Sequence, residues 1–347
     1  MSVKFHWYDT VLVIENPTAK MEKFLVWDKK KLVLDKRTFT RRSKIEKVKL
    51  FNVWHEGSKR KGRVIETPHG FKDQLILMCK KEGEKWELFD KRIPVKAPKL
   101  GLTGGFRLEQ QPLFEEFIGK NQSGILQAPT RYGKRIMIIN TMRAFPNMKT
   151  VVAAPGVDLL NQTVDDFKKA LPERDIKGVF TGSKNRTQSA DITICSLDSL
   201  HKMDTEGTHL LLIDEPHAAV SETRAPVIAR FKNARIYGFG ATLTGRYDNA
   251  DKLLTGLVGP VLAKRTFREA VSENAICDIE VYMVRFPFEA FSCRKRELAY
   301  KRLLYENQIF IDAVGSIANS VLPKNWQTII FVDQQKQADL LADNIDE

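Results

Sequence analysis

Leu210-Leu211-Leu212-Ile213-Asp214-Glu215-Pro216-His217 is an unbroken apolar run closed by two acids. A run without polar alternation reads as a parallel strand buried on both faces. Ligands of open α/β sheets bind outside the carboxyl ends of the strands, so Asp214 and Glu215 stand at a ligand-facing edge. Upstream, Gln127-Ala128-Pro129-Thr130-Arg131-Tyr132-Gly133-Lys134-Arg135 lies between a strand candidate at 124–127 and a helical stretch at 133–144. Backbone N–H groups and a helix dipole at such a junction can hold phosphate. Gly133-Lys134 meets half of the pattern G-x-x-x-x-G-K-[ST]; Ala128 replaces its first glycine and Arg135 its hydroxyl residue. A third strand candidate ends in small residues, Gly238-Phe239-Gly240-Ala241-Thr242.

Outward from these blocks the same grammar holds from Phe106 onward. Further strand candidates at 150–154, 178–181, 192–195 and 235–239 alternate with helical stretches at 111–118, 157–170 and 225–231. Such alternation is the signature of βαβ units on a parallel sheet. After residue 264 an extended stretch is predicted at 279–286, a helical pattern at 294–321, a strand at 328–332 and a helix from Gln334. Residues 1–92 read differently, as short β segments at 10–14, 23–27, 31–34, 48–54, 63–67, 74–79 and 85–89, a small all-β module. The expected organisation is a basic β-rich domain at 1–95, a Pro/Gly-rich linker at 96–105, a parallel-sheet domain carrying the phosphate loop at 106–262 and the start of a further domain at 263–347.

The 347 residues, 43% apolar, suit two or three domains with real cores. No apolar run approaches the ~20 residues of a membrane span, and the start lacks the apolar stretch of a signal peptide. Cys79, Cys195, Cys277 and Cys293 form no C-x-x-C pair and fit a reducing cytoplasm. His201, His209 and His217 are spaced by eight across a strand and a turn, so no structural metal is expected. Of the net charge of +13, residues 1–100 carry +12. Such asymmetry points to an anionic partner, nucleic acid before membrane. Four of five tryptophans share this segment with Lys29-Lys30-Lys31, Arg41-Arg42 and Lys59-Arg60-Lys61. Basic clusters for phosphates with aromatics for stacking are a recurring nucleic-acid pattern. Lys59, Arg60 and Lys61 are expected to contact DNA phosphates.

In the nucleotide reading, Lys134 meets the β/γ-phosphates as a point charge. Asp214 holds Mg²⁺ directly or through water, and Glu215 orients and activates the attacking water. Arg135 cannot coordinate the metal, because a guanidinium carries no acceptor.

With three blocks in this order, the chain resembles a superfamily 2 helicase. The loop Ala128, Pro129, Thr130, Arg131, Tyr132, Gly133, Lys134 and Arg135 resembles motif I, and Asp214-Glu215-Pro216-His217 the D-E-x-H box of motif II. Gly240-Ala241-Thr242 resembles the S-A-T of motif III, with glycine for serine. Arg107-Leu108-Glu109-Gln110 resembles the R-x-x-Q element, which places Arg107 and Gln110 at the nucleotide. Ala154-Pro155 through Gln162 resembles motif Ia, which places Pro155 and Gln162 at the DNA backbone. Gln327 through Val332 resembles motif IV, the opening of a second lobe. The resemblance makes His217, Ala241 and Thr242 coupling residues between motifs II and III.

Within the superfamily, the nearest likeness is to phage UvsW-type helicases, which remodel branched DNA; a T-five-type phage is the expected source. The resemblance implies a RecA-like P-loop motor with two lobes, the second incomplete, preceded by the β-rich module. It also implies ATP and Mg²⁺ as cofactors, duplex, forked or branched DNA as partner, and a monomer in the host cytoplasm. Motifs V and VI do not follow motif IV, so the chain is expected to be incomplete for turnover. Two competing readings are a restriction-type translocase subunit, for which no nuclease constellation is found, and a DNA-binding protein beside a non-hydrolysing ATPase fold.

Overall fold

The computed structural model describes residues 2–34, 41–55, 62–101, 104–107, 109–156, 160–179, 190–221, 223–243, 248–285, 296–321 and 329–345. Two compact units emerge: the first comprises Met1–Val33 and Arg41–Asp278, and the second is formed mainly from residues after Asp278.

The amino-terminal part of the first unit contains β1 (Val3–Trp7), β2 (Val11–Glu15), α1 (Ala19–Phe24), β3 (Val26–Leu34), β4 (Arg41–Lys49), β5 (Asn52–His55), β6 (Val64–Pro68), α2 (Lys72–Glu82) and β7 (Trp86–Asp90). Five strands form a sheet in the order β5-β6-β2-β1-β7, antiparallel except where β7 joins β1 in parallel. Strands β3 and β4 pair with each other as a separate two-stranded ribbon. The module is therefore β-rich but not all-β. The expected strand at 74–79 is the middle of α2, where Leu75, Ile76 and Cys79 are buried together at helical spacing and Gly83 ends the helix in the left-handed region (φ +66). The segment at 23–27 divides between α1, capped by the Thr18 hydroxyl on the Met21 N–H, and the start of β3.

The remainder of the unit contains α3 (Gln110–Gly119), β8 (Gly124–Gln127), α4 (Lys134–Ala144), β9 (Thr150–Ala154), α5 (Leu160–Ala170), β10 (Ile176–Val179), β11 (Ile192–Ser196), β12 (Leu210–Asp214), α6 (Ala225–Ile228), β13 (Arg235–Gly240), α7 (Asp251–Val258), β14 (Val261–Lys264) and α8 (Phe267–Ser272). The seven strands form one sheet in the order β10-β11-β9-β12-β13-β8-β14, and every neighbouring pair is parallel. The strands read from unbroken apolar runs lie within a few residues of their expected positions, because double-sided burial leaves no polar face to blur them.

The two faces of this sheet enter different cores. Leu212, Tyr237 and Phe239 pack with Phe117, Met137 and Phe167. On the opposite face Leu211, Ile213 and Ile236 join a cluster that also contains Phe5, Leu12, Ile65 and Phe71 of the amino-terminal sheet, with Leu254 and Val258 of α7. The β-rich module thus closes one side of the parallel sheet, in a core common to both.

Polar ties reinforce this join. Asp9 Oδ1 lies 3.5 Å from Arg235 Nε, with both side chains almost fully buried, and Asp9 Oδ2 accepts from the Ile93 N–H at 2.9 Å. Burial outweighs the attraction of Arg235 and Arg92 and raises the Asp9 carboxyl above its ordinary range. Within the module, the Trp7 ring is flanked by Lys72 Nζ at 3.7 Å and the Arg92 guanidinium carbon at 3.6 Å. Lys252 Nζ donates to the Phe24 carbonyl. His69 Nε2 donates to the Leu257 carbonyl at 3.1 Å, and burial lowers its pKa to about 4, so the ring stays neutral.

The second unit contains α9 (Arg296–Tyr300), α10 (Gln308–Ser316) and α11 (Gln335–Ala342). The predicted strand at 328–332 is not a strand over its described part, residues 329–332, and neither is 279–285; residues 286, 327 and 328 lie outside the described residues. An apolar run becomes a strand only where a neighbour pairs with its N–H and C=O groups. Phe331 and Val281 are instead 92% and 80% exposed. No helix among the described residues is long and apolar enough to cross a membrane.

Two outcomes test the join. Asp9→Ala strands a buried guanidinium and is expected to lower unfolding free energy by about 3–5 kcal/mol in urea titrations. His69 has its folded pKa below its unfolded value of 6.5, so its contribution is complete above pH 6.5 and is lost as pH falls toward 4. The wild type should lose roughly 2 kcal/mol between pH 6.5 and 5 from this group, at 1.36 kcal/mol per pH unit, and His69→Gln should flatten that slope.

Candidate functional site

The register of the parallel sheet brings three strand ends together. Strand β13 lies between β12 and β8, with Phe239 opposite Asp214 and Gly240 opposite Gln127. The Ala128 N–H donates to the Gly240 carbonyl at 3.0 Å, and the Glu215 N–H donates to the Phe239 carbonyl at 2.9 Å. Gln127 Nε2 donates to the Ala241 carbonyl at 3.0 Å. The loop, the acidic turn and the small-residue strand end are thus tied to one edge by main-chain bonds. Glycine at 240 has a steric reason: a Cβ there would lie 3.0 Å from Pro216 Cδ and 3.1 Å from Leu243 Cδ2.

At this edge, Lys134 Nζ stands 3.4 Å from Glu215 Oε1, and His217 Nδ1 is 3.3 Å from Glu215 Oε2. Glu215 is held at φ +51, a left-handed conformation uncommon for a side chain with a Cβ. Such strain persists where surrounding structure enforces it, and it clusters at functional sites. Asp214 is half-buried. Desolvation, then the neighbouring Glu215 charge, raises its carboxyl above the usual range, and Lys134 only partly offsets this. A second cation at Asp214 would relieve that penalty.

The loop itself is braced from behind. Gln110 Oε1 accepts from the Arg107 N–H at 2.9 Å, while Gln110 Nε2 donates to the Tyr132 carbonyl. Arg107 reaches the carbonyls of Ala275 at 2.6 Å and Arg131 at 3.2 Å. Buried Tyr132 donates to the Glu109 carbonyl at 3.2 Å and faces Glu273 Oε2 at 3.3 Å. Arg131 and Gly133 take left-handed backbones at φ +66 and +95. Gly133 leads directly into α4, and among the described residues no acceptor is provided for the N–H groups of Gly133, Lys134 and Arg135. That cradle, at the positive end of a helix, is suited to an anion. Ala128 is buried beneath the loop, Pro129 is half-buried and Thr130 is exposed.

Arg135 turns aside to Asp166 on α5, Nη1 to Oδ2 at 2.6 Å. Sequence reasoning missed Asp166, Glu273 and the Ala275 carbonyl, which lie 31 to 168 residues from their partners and leave no mark in local spacing. Pro155, at the carboxyl end of β9, and Gln162, on α5, are exposed; Ala241 is half-buried and Thr242 exposed. Lys59, Arg60 and Lys61 lie outside the described residues.

Residues 105–245 match the family described as "Type III restriction enzyme, res subunit". The chain is 23% identical over 150 residues to the candidate ATP-dependent helicase IRC3 of Saccharomyces cerevisiae, covering 40% of this chain and 21% of that protein. It is 22% identical over 282 residues to activating signal cointegrator 1 complex subunit 3 of Danio rerio, covering 67% and 18%. The chain therefore spans about a fifth of the length of these curated relatives. Two solved structures of the UvsW helicase of bacteriophage T4 superpose with TM-scores of 0.53 and 0.55 at 17% identity. Each alignment covers 76% of this chain, with 100% and 57% of the respective phage chains. These likenesses establish the fold: a RecA-like parallel-sheet lobe preceded by a β-rich module.

Gly133→Ala tests the loop geometry. The added Cβ would meet Gln110 Nε2, in a backbone region that penalises L side chains by roughly 1–2 kcal/mol. Nucleotide affinity, read with a fluorescent ATP analogue, is expected to fall about tenfold or more, while Gly62→Ala, with open space around its Cβ, should leave it unchanged.

Proposed function

We propose that this protein is an ATP-dependent DNA helicase or translocase that remodels forked and branched DNA by unwinding and branch migration. The observation that carries the reading is the convergence of Lys134, the first residue of α4, with Asp214 and Glu215 at the carboxyl end of β12, beside the N–H groups of the α4 start that find no acceptor among the described residues. The match of residues 105–245 to the family of type III restriction enzyme res subunits and the UvsW-like fold support it. A phage source of the T-five type, action as a monomer in host cytoplasm, and the division into a module at 1–95, a linker and two lobes belong to the same reading.

The chain's own residues account for the chemistry as follows. Lys134 exchanges Glu215 for the β/γ-phosphates, and the N–H groups of Gly133, Lys134 and Arg135 take phosphate oxygens. Freed from the lysine, Glu215 remains beside His217 and orients the water that attacks the γ-phosphorus, accepting its proton as the bond to the β,γ-bridging oxygen breaks and ADP leaves with that electron pair. Mg²⁺, when bound with ATP, spreads the phosphate charge, and Asp214 would hold it directly or through water. The half-buried, raised carboxyl of Asp214 fits that role, whereas Arg135, paired with Asp166 and lacking an acceptor, does not. Arg107 and Gln110 set the loop from behind, and His217 of motif II with Ala241 and Thr242 of motif III couple the two motifs. Exposed Pro155 and Gln162 touch the DNA backbone, with Lys59, Arg60 and Lys61 adding phosphate contacts.

In the full-length protein, Lys134→Ala is expected to abolish ATP turnover while leaving duplex binding largely intact. Glu215→Gln should still bind ATP but lower turnover by roughly 10² or more. Coupled-enzyme assays with and without forked DNA read both. Turnover within about tenfold of wild type in Lys134→Ala would remove the nucleotide role assigned to the loop. DNA binding with no measurable affinity for a fluorescent ATP analogue would favour the alternative of a DNA-binding protein beside a non-hydrolysing ATPase fold.

A further inference from the structure

We infer that the β3–β4 ribbon is the element through which the amino-terminal module engages duplex DNA, lying along a groove and contacting phosphates on its walls. This rests on the reading of the protein as one that acts on DNA, and it moves the principal contact from the cluster at 59–61 to a different part of the module.

The ribbon differs from every other strand pair in the first unit. Strands β3 and β4 are nine residues each, roughly 30 Å long at 3.3 Å per residue, and they pair only with each other. Successive side chains of a strand point to opposite faces, so a strand lying on a core shows alternating burial. Strand β4 does not: Ser43, Lys44, Ile45, Glu46 and Lys47 are all exposed. Both of its faces are therefore open along this stretch. An isolated two-stranded hairpin is marginal in water, which makes a bound partner a natural source of stability.

Charge selects the partner. Strands β3 and β4 hold eight Lys and Arg against two Asp and Glu, a net of +6, half of the excess in residues 1–100. Lys30, Lys44 and Lys47 are exposed on the ribbon. The major groove of duplex DNA is about 12 Å wide and admits a two-stranded β-ribbon, with phosphates lining both walls. At the root of the ribbon a cleft of about 740 Å³ continues this surface onto the parallel-sheet lobe. Lys29, Lys49 and Lys232 line it against Glu66 and Asp248, so cations outnumber carboxylates there too. The partner implied is a polyanion with charges regularly spaced along a rod, which an acidic protein patch does not supply.

The test is a fluorescence anisotropy titration of the intact protein with a short labelled duplex. It is run from about 50 to 200 mM salt, where phosphate-dominated binding gives a slope near −0.9 per phosphate neutralised. The triple variant Lys30→Gln/Lys44→Gln/Lys47→Gln should bind at least about tenfold more weakly at the low-salt end, with a slope shallower by up to about 3. The matching Lys→Arg variant should keep both affinity and slope, and melting curves confirm that each protein is folded. An unchanged affinity and slope in the glutamine variant would overturn the inference. So would retention of duplex binding together with loss of polyglutamate binding, which would mark the ribbon as a site for acidic protein. Binding of a fluorescent ATP analogue by the unmodified protein is read separately, so that failure of the motor reading and failure of the ribbon inference give different results.

Discussion

Two main-chain hydrogen bonds organise this molecule: Ala128 N–H to the Gly240 carbonyl and Glu215 N–H to the Phe239 carbonyl. Both acceptors belong to the end of β13, the strand between the one that delivers the loop and the one that delivers the acids. A side chain can rotate away, but a backbone bond fixes where the chain leaves the sheet. The separation of Lys134 from Glu215 is therefore set by strand register and only trimmed by rotamers. The strained backbone of Glu215 follows from the same constraint. Its N–H is committed to β13 while Pro216 packs on the glycines of that strand, so the turn bends at Glu215.

How much of this was legible depends on what each segment buries. Strands β8, β9, β12 and β13 are buried on both faces, and their apolar runs mark them in the sequence within a residue or two. The residues at their carboxyl ends could be placed for the same reason. Helix α2 was hidden because Gln74-Leu75-Ile76-Leu77-Met78-Cys79 is apolar enough to pass as a strand. The sign of a helix lies in Gly83, Lys80 and Lys81 beyond that run, at positions favoured near a helix end. The braces of the phosphate-type loop could not be read at all, since Arg107–Ala275 and Arg135–Asp166 close over long stretches of chain.

The relation between the two sheets was equally silent. A change of composition near residue 100 suggests a separable module on a linker, yet one apolar cluster joins Phe5 and Phe71 to Ile236 and Val258. Composition reports which residues are apolar, not which of two cores receives them. Charge behaved differently. Its excess in the first hundred residues was plain in the sequence, but only strand pairing reveals that much of it rides on a ribbon with both faces open along β4.

The buried pair Asp9–Arg235 has a mechanical consequence. Arg235 is the first residue of β13, and Gly240, which accepts from the loop, is the last. A single extended segment, roughly 20 Å long at about 3.3 Å per residue, therefore runs like a strut from the anchorage of the amino-terminal sheet to the edge where Lys134 and Glu215 meet. An extended backbone locked between two hydrogen-bonded neighbours has little compliance along its axis. A pull on the amino-terminal module would reach the loop as displacement rather than dissipate in a hinge.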